Sequence, residues 1–130
     1  MKANDLRIGN WLICYDERVS VTQIRKDTVH YEYLSKMGNI ISTGEDIENF
    51  KPIPLTEEIL LRWGFEKDNE TYSWSKLFNF DNYDYLFELE CWPNDDNFYF
   101  QSKYRKVEYV HDMQNLFKAL TDQELKIKWT

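Results

Sequence analysis

The chain reads as an α+β protein: an antiparallel sheet, with a short helix near residues 57–63 and a longer one near 109–120. Three observations predict this. Short runs with apolar residues at alternate positions recur before residue 50 and again after residue 70, the period of strands with one wet face. The run "PIPLTEEILLRWGF" carries helix start and stop signals within a dozen residues. "YVHDMQNLFKAL" repeats its apolar residues at helical spacing. At 130 residues the expectation is a single domain, 1–130, divided into a β-meander (1–51) and a helix–strands–helix part (52–130).

The elements follow in order. "LRIGNWLICYD" places Ile8, Trp11, Leu12 and Ile13 around the turn pair Gly9-Asn10. "RVSVTQI" alternates Val19 and Val21, then slips at Gln23 before Ile24. "TVHYEYL" alternates Val29, Tyr31 and Tyr33 with polar residues, and "IIST" follows the turn "KMGN". Four short strands joined by tight turns predict a small SH3-like meander. Next, Thr56 is a natural N-cap and Glu57 and Glu58 suit the positive end of the helix dipole. Leu55 and Leu60 occupy the hydrophobic-staple positions, and Gly64 suits the left-handed residue that ends a helix.

Strands then return. "ETYSWS" alternates Tyr72 and Trp74. "YDYLFELECW" puts Tyr85, Phe87, Leu89 and Cys91 on one face, with Asp84, Leu86, Glu88, Glu90 and Trp92 on the other. After the turn "PNDDN", "FYFQSKYRKVEYV" runs back. In the closing helix Tyr109, Val110, Met113, Leu116, Phe117 and Leu120 form the apolar side, and His111, Gln114, Asn115 and Lys118 form a polar stripe. Thr121 and Glu124 have the capping-box spacing of one further helical turn.

Composition narrows the function. Sixteen lysines and arginines against 23 aspartates and glutamates leave a net charge of −7, with a pI near 4.8. A protein that grips nucleic acid through phosphates needs a basic face, and so does one that binds anionic lipid. The expected partner is therefore a basic protein surface. With no apolar leader and no run long enough to span a bilayer, a cytoplasmic protein is expected. Cys14 and Cys91 are expected as buried free thiols. The two histidines, His30 and His111, are far apart and no C-x-x-C or H-x-x-x-H occurs, so no metal site, cofactor or catalytic residue is assigned and no enzymatic activity is expected.

Three blocks, "DLRIGNWL" (5–12), "PIPLTEEILLRWGF" (52–65) and "EYVHDMQNLFKALTDQEL" (108–125), together resemble a set of small proteins encoded in phages and prophages of Bacteroidota. They cover about 40 of the 130 residues. Met113 stands where that set has leucine, Lys118 where it has an aromatic residue, Asp122 where it has glycine and Gln123 where it has glutamate. The resemblance implies a genetic setting rather than a mechanism. A small, acidic, non-enzymatic phage protein is expected to inhibit a host nucleic-acid-handling defence complex. An anti-CRISPR protein acting on an RNA-guided effector is the most specific form of that expectation. The alternative is a structural or adaptor module of the phage, and a small enzyme comes third.

The candidate binding surface lies where the resemblance is silent. From Leu77 to Ser102 there is no lysine or arginine, yet nine aromatic rings are interleaved with six carboxylates. Glu88 and Glu90, two apart on a strand, are spaced by about 6.6–6.8 Å, comparable with phosphates along an extended nucleic-acid strand. Asp84, Asp95 and Asp96 extend the negative field, and Trp92 is placed to anchor an arginine through a cation–π contact. The plainer reading is a sheet with one solvated face. The missing cations favour the binding reading, because an ordinary wet face mixes signs. The stripe His111/Gln114/Asn115/Lys118 is the second candidate surface, most simply the solvated side of its helix.

Overall fold

A computed structural model describes residues 1–101 and 105–129. The first sheet contains β1 (Trp11–Cys14), β2 (Glu17–Ile24), β3 (Thr28–Leu34), β4 (Ile40–Asp46) and β5 (Phe50–Pro52), in the order β4-β3-β2-β1-β5. All its pairings are antiparallel. The expected antiparallel meander is present, with five strands where four were expected. A 3-10 turn at Ile47–Asn49 brings β5 back beside β1. The slip at Gln23 is a register shift between Val21 and Gln23 on the β2–β3 ladder. Leu12, Cys14, Val19, Val21, Val29, Tyr31 and Phe50 build the core of this sheet. Opposite His30 stands Gly44, and a Cβ there would lie 2.7 Å from the imidazole.

The second sheet contains β6 (Glu66–Asp68), β7 (Ser73–Asn79), β8 (Asp84–Glu90), β9 (Phe98–Phe100) and β10 (Arg105–Val107), in chain order and antiparallel. β6 was not anticipated. It pairs with β7 across a turn in which the Asp68 carboxylate accepts the backbone N–H groups of Glu70 and Thr71. Tyr72, expected inside a strand, sits in that turn at φ 54°. The single returning strand expected after residue 98 is instead two, and residues 102–104, which it included, lie outside the described residues.

Before β6 comes α1 (Glu57–Arg62), formed as its signals dictate. Thr56 Oγ1 accepts the Ile59 N–H at 3.2 Å. Gly64, at φ 87°, lets the Gly64 and Phe65 N–H groups reach back to the carbonyls of Leu61 and Leu60. Leu55, Leu60 and Phe65 are buried around this short element. The core of the second sheet is ring-rich: Phe87 lies 5.8 Å from Phe117, 5.9 Å from Phe100 and 6.2 Å from Phe65 between ring centroids.

The last helix, α2 (Val110–Thr121), starts with the Asp112 carboxylate accepting the Tyr109 N–H at 3.0 Å. No further helical turn follows it. The Thr121 hydroxyl bonds the Phe117 carbonyl four residues back, and Asp122 takes a left-handed conformation at φ 59°. Contacts divide the chain into two compact units: residues 1–54 with 109–116, and residues 55–108 with 117–130. α2 contributes residues to both units.

Candidate protein-binding face

The period-2 alternation of β8 is reproduced in its burial. Phe87 and Leu89 are fully buried, Asp84, Leu86 and Glu88 are exposed, and Glu90 is half-buried. Residues directly opposite in an antiparallel ladder project from the same face. Glu66, Ser75 and Glu88 therefore form one row across β6, β7 and β8, and Asp68, Ser73 and Glu90 form the next. Strands lie about 4.8 Å apart and alternate residues about 6.7 Å apart. Four carboxylates thus bound a rectangle of roughly 7 by 10 Å with two serines at its centre. The lysines of these strands are on the opposite face: Lys67 is paired with Trp74, and Lys76 with Phe87. Within β6, β7 and β8 the acids thus lie on one side and the lysines on the other; on β10, Lys106 is paired with Tyr99, the partner of Glu90, and so stands at the margin of the acidic face, where it pairs with Glu108.

The acidic face is bounded at both ends. Towards one end, Leu77 and Leu86 are directly paired and both more than half exposed. Beyond them Asn79 pairs with Asp84. Towards the other end, Tyr72 and Trp92 lie with ring centroids 5.8 Å apart, and the Cys91 N–H donates to the Tyr72 carbonyl at 2.8 Å. Trp92 is half-buried.

The two turn aspartates differ. Asp95 Oδ1 accepts the backbone and side-chain N–H groups of Asn97, each at 3.0 Å, and Oδ2 accepts the Tyr99 hydroxyl at 2.9 Å. That hydrogen bond is the main reason the Tyr99 hydroxyl is held above its ordinary pKa. Asp95 thus shapes the turn, whereas Asp96 is exposed. Glu66, Asp68 and Tyr72 were missed because β6 was missed. No local pattern marks that strand, whose three residues are all exposed.

The second candidate surface requires correction. His111 and Gln114 are buried, and Asn115 and Lys118 are half-buried. The stripe is the inner side of α2, not a solvated one. Gln114 Oε1 accepts the Trp11 N–H and its Nε2 donates to the Gly9 carbonyl, both at 2.9 Å. Asn115 Oδ1 accepts from Asn10 Nδ2 at 2.8 Å and from Arg7 Nε at 3.2 Å, and its Nδ2 donates to the Asp5 carbonyl at 3.1 Å. The blocks "DLRIGNWL" and "YVHDMQNL" are therefore each other's partners. Lys118 bonds locally to the Asp122 carbonyl. Desolvation holds His111 below the ordinary histidine pKa, against the opposing fields of Asp112 and Asp5.

Both cysteines are free thiols. Cys14 is buried, and Cys91 is half-buried rather than buried. Burial pushes both thiols up, the opposite of what a nucleophile needs. Among the described residues no group of three or more metal-ligating side chains is placed to hold an ion, and no helix is long and apolar enough to cross a membrane. No protein-family model, curated protein or solved structure matches the chain.

Proposed function

We propose that this is a non-catalytic, phage-encoded binding protein that acts in the host cytoplasm on a basic protein surface. Its target class is a host nucleic-acid-handling defence complex, with an RNA-guided effector as the specific form, which would make it an anti-CRISPR protein. The observation that carries this reading is the segregation of charge across β6, β7 and β8. Glu66, Asp68, Glu88 and Glu90 share a face on which β6, β7 and β8 place no cation. Regularly spaced carboxylates suit a channel lined by lysine and arginine. The exposed Leu77/Leu86 pair and the Tyr72/Trp92 rings supply apolar contact at the two ends, as protein interfaces require.

The runner-up, a phage adaptor module, rests on a different feature. The tip of the β3–β4 hairpin exposes Leu34, Met37 and Ile40, each at least 70% accessible.

Charge reversal tests the preferred reading. Glu66→Lys with Glu88→Lys should leave the fold intact, because both are exposed strand positions, which tolerate substitution to within about 0.5 kcal/mol. It should abolish inhibition of guided nucleic-acid cleavage, chiefly through slower association. Wild-type inhibition should weaken as salt shortens the screening length from about 10 Å at 0.1 M to about 3 Å at 1 M. A folded double-lysine variant that inhibits as well as wild type would remove the acidic face from the mechanism. Loss of binding to phage structural proteins on altering the hairpin tip would favour the adaptor.

A further inference from the structure

The other face of the second sheet holds a cavity of about 510 Å³ between the end of α1, β7 and the C-terminal tail. That volume is in the range of sites for small organic ligands. Its lining is unusual for a chain of net charge −7: Arg62, Lys76, Lys126 and Lys128 converge on it, against one carboxylate, Glu124. Arg62 is occupied, bonding Glu58 and the Trp129 carbonyl. The three lysines have no ion-pair partner among the described residues.

Lys76 is the built part of the site. It is half-buried on the inner face of β7, and its Nζ donates to the Trp63 carbonyl at 2.6 Å. Its side chain passes over Gly64, where a Cβ would stand 3.4 Å from Nζ. An ammonium has three donors, so two remain. The same Nζ lies 5.1 Å from the Phe78 ring, and Phe78 and Phe80 line the cavity with ring planes only 13° apart. The tail that closes the cavity is tied down by the Trp63 indole N–H, which donates to the Lys128 carbonyl at 3.0 Å.

We propose that this cavity is a binding site for a small anion carrying a flat aromatic ring, of the class of nucleoside monophosphates. The lysines take the phosphate as point charges, and the ring lies against Phe78 and Phe80. A cation beside an aromatic surface selects a ligand with both features over one with either alone. The site is independent of the acidic face and of any partner held there.

Calorimetric titration of the full chain at low salt tests it, with the four ribonucleoside monophosphates, inorganic phosphate, adenosine and a single-stranded hexanucleotide as probes. At least one monophosphate should bind one to one, about tenfold or more tightly than phosphate or adenosine. Lys76→Met, which keeps the aliphatic stem, should lose about tenfold in affinity. The exposed pair Lys126→Glu with Lys128→Glu should do the same without touching the core. Glu66→Lys with Glu88→Lys, both exposed, should leave nucleotide affinity unchanged, separating this site from the acidic face. The proposal is overturned if no monophosphate binds at millimolar concentration or if phosphate alone binds as well. Retention of wild-type affinity by the tail variant, or by a folded Lys76→Met, would also overturn it. A hexanucleotide that binds more tightly than any monophosphate would make the cavity part of a strand channel and overturn the small-ligand assignment.

Discussion

Gln114 offers the most direct test of how the closing helix is held. Its amide satisfies two backbone groups 103 and 105 residues away in sequence, the Trp11 N–H and the Gly9 carbonyl. Those partners fix which end of the amide is oxygen, since only that orientation makes both bonds. Gln114→Ala orphans both groups at once. A buried orphan costs about 1–3 kcal/mol, and the low end applies because Gly9 and Trp11 are half-buried. Adding about 1 kcal/mol for the lost packing of a fully buried side chain gives roughly 3 kcal/mol. For a chain of this length that corresponds to a drop in Tm of about 10 °C. Gln114→Glu separates hydrogen bonding from volume. The isosteric carboxylate can still accept from Trp11, but it faces the Gly9 carbonyl with no donor unless protonated. Its folded-state pKa should therefore be raised above the ordinary value of about 4.3. The penalty relative to wild type should be small below pH 4 and grow as pH rises through the folded-state value. Urea unfolding of the three proteins from pH 4 to 8 reads this out. A folded Gln114→Ala protein melting within a degree or two of wild type would refute the reasoning, as would a Gln114→Glu deficit independent of pH.

Thr56→Ala should destabilise by about 0.5–2 kcal/mol through loss of the cap on the Ile59 N–H, seen as a lower urea midpoint with unchanged m-value. His111 predicts an acid-sensitive fold. Because burial depresses its folded-state pKa, the unfolded chain binds the proton more readily, so stability should be full above about pH 6.5 and decline below it. His111→Phe should flatten the slope of stability between pH 7 and 5.5, and an unchanged slope would assign the effect to other groups.

The elements legible in the sequence were those whose signals are local. The cap, staple and terminal glycine of α1 and the alternation of β8 depend on neighbours within a few residues, and both stand as expected. The bulge at Gln23 was visible as a break in alternation. Local pattern could not reveal β6, whose three residues are all exposed and carry no apolar period. Nor could it reveal the role of the α2 stripe. His111, Gln114 and Asn115 are polar, so helical periodicity assigns them to water. Only the distant backbone at residues 5–11 shows them to be an inner face. The four-carboxylate face was half legible for the same reason. Glu88 and Glu90 lie on the strand that could be read, and Glu66 and Asp68 on the one that could not.

The Gln114 and Asn115 clasp also sets an order of events during synthesis. A ribosome adding roughly 5–20 residues per second delivers Gln114 some 5–20 s after Trp11. Throughout that interval β1 to β5 exist without the side chains that satisfy Gly9 and Trp11. The sequence encoding the whole second sheet is translated before the missing piece of the first unit arrives. The meander therefore waits in an unfinished state, and its exposed hairpin tip is available to chaperones or to a second nascent chain. A chain terminated after β10 would be left in that state permanently.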